Sequence, residues 1–113
     1  MITIGEIALD EENRQAIIRG ETVGLTPNEF RVLGYLMRNP DKLISKEEFL
    51  SAVWDYQSME DTNFVRVTVR RLRSKIEVDA SNPRYLKTVH GVGYQFCTNP
   101  LDTDNADTAN DDR

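Results

Sequence analysis

Five cations, Arg66, Arg70, Arg71, Arg73 and Lys75, fall within ten residues that hold no acid. Arginine forks pair bidentately with phosphate oxygens or with the O6/N7 edge of guanine. A run of them recurring about once per helical turn is therefore a candidate nucleic-acid reader. Little else in the chain could react. With one histidine and one cysteine, a histidine-containing metal cluster, a Cys-His pair and a Ser-His-Asp triad would all have to be built on His90. His90 stands between Val89 and Gly91, where a hairpin tip is expected, and an exposed tip makes a poor catalytic base. Gly91-x-Gly93 is too short for a phosphate-binding loop and follows a helix, whereas the dinucleotide fingerprint precedes one. The adjacent carboxylates Glu47 and Glu48 suit a helix N-terminus, and Asp111 and Asp112 belong to an acidic tail. The residues argue against an enzyme and imply neither a cofactor nor a metal.

The elements that must position these cations can be read from the pattern. "GEIALD", "RQAIIRG" and "TVGL" are short apolar runs separated by polar turns, which predicts an N-terminal antiparallel sheet of three or four strands. Thr26-Pro27-Asn28-Glu29 places a hydroxyl at the N-cap, proline at N1 and glutamate at N3; Ser45-Lys46-Glu47-Glu48 repeats the capping box. The first helix carries Phe30, Leu33 and Met37 and should end near Asn39, because Pro40 disfavours helical geometry before it. The second carries Phe49, Leu50, Val53 and Trp54. For the basic stretch two periods compete. Val65, Val67 and Val69 alternate with Arg66, Thr68 and Arg70 as in a strand, but Val65, Val69, Leu72 and Ile76 fall at i, i+4, i+7 and i+11. No Gly or Pro interrupts residues 62–77, a span too long for an ordinary strand, and Asp61 suits an N-cap. A helix is predicted, with Arg66, Arg70 and Arg73 along one exposed flank and Arg71 and Lys75 beside them. "RYLKTVHGVGYQFC" then predicts a hairpin, with strands at 85–89 and 93–97 and with Gly91 and Gly93 supplying positive φ angles at the tip.

Charge is segregated along the chain. The formal net charge is −5, yet residues 62–97 hold seven cations and two acids, between an acidic stretch at 1–61 and another at 98–113. A partner meeting residues 62–97 therefore feels a positive field inside an acidic protein. At 113 residues and 39% hydrophobic, the chain suits one domain, residues 1–97, with 98–113 read as a disordered acidic tail too apolar-poor to offset the entropy of ordering. No long apolar run and no basic-then-apolar leader is present, so the expectation is a cytoplasmic protein without a membrane partner.

The segments "LTPNEFRVLGYLMRNPDKLISKEEFLSAVW", "DTNFVRVTVRRLRSKIE" and "NPRYLKTVHGVGYQF" resemble successive blocks of the OmpR/PhoB family, the winged-helix effector domains of bacterial two-component response regulators. The resemblance implies an α+β fold, a winged helix-turn-helix with an N-terminal antiparallel sheet, three helices and a C-terminal hairpin wing. It implies sequence-specific duplex DNA binding, with residues 62–76 as the recognition helix in the major groove and the wing, residues 85–97, near the adjacent minor groove. Arg70, Arg71 and Arg73 match the family's DNA-contacting arginines; Arg71 is assigned to a base, Arg70 and Arg73 to phosphates. Trp54 matches an aromatic that faces the DNA backbone in some members, and Thr88 and Tyr94 match phosphate-contacting positions beside the wing tip.

Two departures from the family pattern concern the same surface. His90 replaces the usual wing arginine of the minor groove, which gives up charge and makes wing binding weaker and pH-sensitive. Arg66 stands where many members have an aspartate, which adds a cation to the reading face. The family further implies binding to direct repeats and contact with RNA polymerase through the loop at 55–61; the chain is either an excised effector domain, with a receiver domain in the full-length protein, or a stand-alone one. The alternative function is a winged-helix protein-interaction module, which the acidic first two helices and the weakened wing would suit; it predicts almost no DNA binding for salt to screen.

Overall fold

A computed structural model describes residues 1–54 and 62–98. Strands β1 (Ile2–Ile4), β2 (Ile7–Asp10), β3 (Gln15–Ile18) and β4 (Glu21–Gly24) form a four-stranded antiparallel meander. Its register sets Ile7 opposite Ile18 and Leu9 opposite Ala16, and these four side chains form the buried face. Ala8 and Ile17, opposite each other one residue out of phase, lie on the other face and are only half-buried. That is the period-two pattern of a sheet packed on one side.

Helix α1 (Pro27–Arg38) begins as its sequence dictates. The Thr26 hydroxyl accepts the Glu29 N–H at 3.2 Å and the Glu29 carboxylate accepts the Thr26 N–H at 3.0 Å. Asn39 is its C-cap. The second capping box forms only by half. The Ser45 hydroxyl accepts the Glu48 N–H, but the Glu48 carboxylate accepts the Tyr35 hydroxyl at 2.6 Å and pairs with Lys42 at 3.2 Å. Those partners lie on α1 and the loop after it, beyond the reach of a local motif. Helix α2 (Lys46–Phe49) is a single α-turn that continues as a π-helical turn, Leu50–Trp54.

Helix α3 (Thr62–Ile76) resolves the conflict between the two periods. Val65, Val69, Leu72 and Ile76 are at most 1% exposed, and only a helix places all four on one face. Burying each is worth about 1.5–3 kcal/mol. After α3 the chain forms β6 (Leu86–Val89) and β7 (Gly93–Phe96), the wing hairpin. A two-residue strand absent from the sequence reading, β5 (Ile44–Ser45), adds to β7 and gives a second sheet of order β5-β7-β6. Gly91 adopts the expected positive φ of 80°. Gly93 does not, and the reason for glycine there is different: a Cβ would overlap the Ile44 carbonyl of β5. One hydrophobic core joins both sheets and all three helices, with Phe49, Phe96 and Leu33 among its fully buried members.

Candidate nucleic-acid interface

At 3.6 residues per turn, the side of α3 opposite its buried stripe carries Asn63, Val67, Arg70 and Ser74 as its outermost row. All four are exposed. Arg66 and Arg73 flank this row toward the wing; Phe64, Arg71 and Lys75 flank it toward α1. Two grooves run along these flanks.

The wing-side groove, about 620 Å³, is lined by Lys46 of α2, by Arg66, Arg70 and Arg73 of α3, and by wing residues from Thr88 to Tyr94. Among the described residues, no carboxylate lines it. The second groove, about 480 Å³, lies between the α1 N-terminus and α3 and includes Asn28, Glu29, Asn63, Phe64, Val67 and Arg71. Phe64 is 48% and Val67 36% exposed, an apolar edge beside an arginine.

The five cations of α3 divide into two kinds. Arg66, Arg70 and Arg71 are exposed, and their guanidinium groups make no hydrogen bond or salt bridge to another described residue. Arg73 and Lys75 are bound within the fold. Arg73 Nε donates to the Leu86 carbonyl at 2.9 Å, its Nη2 donates to the Thr88 hydroxyl, and its guanidinium lies 6.0 Å from the centre of the Tyr94 ring. Burial pulls the Arg73 pKa below the ordinary arginine value, with Tyr94 and Glu77 opposing; arginine keeps its charge regardless. Lys75 Nζ donates to Glu29 Oε1 at 2.5 Å and to the Gly24 carbonyl at 3.0 Å.

The other expected site residues are dispersed in the same way. His90 is exposed at the wing tip, next to Val92, itself 43% exposed. Thr88 is exposed, with its hydroxyl accepting from Arg73. Tyr94 is 6% exposed; burial pushes its phenol up, against the pull of Arg73 and Arg66, so it is a neutral ring beneath the groove. The side chain of Trp54, the proposed N-cap Asp61, the loop at 55–61 and the tail beyond residue 98 lie outside the described residues.

Asn63, Phe64, Val67 and Lys46 were missed by sequence reasoning. The first three were discoverable, since the same 100° step that buries Val65 and Leu72 turns Val67 outward. Lys46 reaches the groove only because β5 pairs with β7 and brings the start of α2 against the wing.

Residues 20–96 match the family described as "Transcriptional regulatory protein, C terminal". The chain is similar to the transcriptional regulatory protein YvrH of Bacillus subtilis, 42% identical over 89 residues, which cover 79% of this chain and 38% of that protein. It is 40% identical over 95 residues to the DNA-binding response regulator MtrA of Mycolicibacterium smegmatis, covering 84% of this chain and 42% of that one. Among solved structures, the DNA-binding domain of Klebsiella pneumoniae RstA, in complex with the RstA box, superposes with a TM-score of 0.79 at 28% identity, covering 87% of this chain and 97% of that domain. The Thermotoga maritima response regulator DrrB, an OmpR/PhoB homologue, gives 0.75 at 30% identity, covering 84% and 43%. The chain thus spans about two-fifths of the length of these curated relatives.

Proposed function

Because this chain belongs to the OmpR/PhoB-type family of C-terminal domains of transcriptional regulatory proteins, we propose that it is a sequence-specific duplex DNA-binding domain of a bacterial response regulator and works in the cytoplasm without catalysing a reaction. The observation that carries this reading is the groove between α3 and the wing, lined among the described residues by cations and no carboxylate, with exposed arginines on its helix wall. An α-helix fits the major groove, and a hairpin beside it can reach the adjacent minor groove.

Roles follow from position. Arg71 pairs with a guanine edge, Asn63 with an adenine, and Val67 packs against a thymine methyl, all from the outward side of α3. Arg66, Arg70 and Lys46 face the phosphates that line the wing-side groove. His90 and Val92 present the wing tip to the minor groove. Lys75, bound to Glu29, supports α3 without touching DNA. Binding as pairs on direct repeats predicts half-sites about one helical turn apart.

No helix among the described residues is long and apolar enough to cross a membrane. The deciding experiment is selection of bound duplexes from a random library. Enrichment of one short motif, with log K falling against log[salt] at about −0.9 per phosphate contact, is the expected result. A folded protein that enriches nothing would favour the protein-interaction reading.

A further inference from the structure

Leu86 opens the wing, and the two sides of its backbone are held by Arg73 of α3 and by Glu77, the residue that follows the helix. Its N–H donates to Glu77 Oε2 at 2.8 Å, and its carbonyl accepts from Arg73 Nε at 2.9 Å. Arg73 and Glu77 are one helical turn apart, the Glu77 N–H bonding the Arg73 carbonyl at 3.0 Å. Glu77 is 6% exposed, and its carboxylate also accepts the N–H groups of Arg84 and Tyr85. Arg73 continues up the strand to the Thr88 hydroxyl and lies against Tyr94 of the partner strand β7.

We propose that Arg73 and Glu77 form a two-point clamp that sets the angle of the wing to the recognition helix, which makes Arg73 a positioning residue acting through Leu86 and Thr88 and not a phosphate contact. The lever arm explains why the clamp matters. The wing tip lies about 13 Å beyond Leu86, four residues at about 3.3 Å each, so a swing of about 10° at the clamp moves it by about 2 Å. A misplacement of about 1 Å is already enough to lose hydrogen-bond geometry. The clamp lets two separate elements engage neighbouring grooves as one rigid body.

The inference rests on the DNA reading proposed above, so its test begins without DNA. Arg73→Lys keeps the charge a phosphate would need but cannot reproduce the planar fork that bridges Leu86, Thr88 and Tyr94. In the free 113-residue protein, backbone ¹⁵N order parameters at residues 88–93 should fall relative to the unaltered chain. On a duplex carrying the selected motif, R73K should lose about tenfold in affinity, with hydroxyl-radical protection lost on the wing side and guanine N7 protection in the major groove retained. Thr88→Val, which removes the hydroxyl acceptor and keeps the β-branch, should shift both readouts the same way by less; it carries the test should R73K fail to fold. Unchanged wing order parameters, or a retained wing-side footprint, would overturn the clamp. Because the relaxation measurement needs no DNA, its result stands whatever becomes of the DNA-binding reading.

Discussion

Arg71 and Lys75 sit one turn apart on the same flank of α3, yet one faces solvent and the other is held by a carboxylate only 3% exposed. The difference is made by Glu29. That residue caps α1 from its third position, and the same Oε1 that accepts the Thr26 N–H also accepts from Lys75, so it removes one cation from the surface and ties α3 to α1. The wing does the same to Arg73. In a basic helix, the number of cations and the number available to a ligand are separate quantities, and here the cations of the C-terminal turn are bound within the fold while Arg66, Arg70 and Arg71 stay exposed.

The sharpest way to break that division is to remove the carboxylate. Glu29→Ala should destabilise the domain by about 3 kcal/mol, since it deletes a helix cap and leaves Lys75 without its counter-charge; chemical denaturation measures this. DNA affinity of the remaining folded protein should change little, and a large specific loss would place Lys75 or Glu29 at the DNA.

Arg71→Ala is the converse. It should cost about 2 kcal/mol at the selected site and relax the preference at one base pair, with the folding midpoint unchanged. An equal loss on every sequence would remove Arg71 from base contact.

A finer comparison sets Lys46→Ala against Lys75→Ala. The first should weaken binding to all duplexes and make the salt slope shallower by about 0.9. The second should leave the slope alone and lower stability by about 2 kcal/mol, because it leaves the Glu29 carboxylate buried without its counter-charge. Salt titrations of the two variants, run together, test whether the groove or the formal charge predicts phosphate contact.

The smallest effect is expected at the wing tip, where His90→Arg should tighten binding generally by about 0.5 kcal/mol through an added charge near the minor groove. Unchanged affinity across sequences would place the tip away from DNA.

Much of the fold was legible because its signals are local. The Thr26 box forms as written, Asn39 ends α1 one residue before Pro40, and the stripe from Val65 to Ile76 is buried at every position. The misses share a cause. Glu48 has the spacing of a capping residue, but Tyr35 and Lys42 compete for its carboxylate. Gly93 looks like a turn glycine, yet it makes room for the backbone of Ile44, 49 residues earlier in the chain. Strand β5 has two residues and no period to detect. Of the site, the outward side of α3 was implicit in its periodicity, whereas Lys46 and the commitment of Arg73 and Lys75 were not.

The amino-acid pattern by itself determined the three helices, the N-terminal sheet and the wing hairpin, which face of α3 is buried, and that the basic charge gathers on residues 62–97, because caps, periodicity and charge runs act over a few residues. Only the tertiary structure decided which of those cations face outward. Lys75 is bound by a carboxylate 46 residues distant and Arg73 by a carbonyl 13 residues distant. Such pairings are set by how the elements pack, and no spacing within α3 records them.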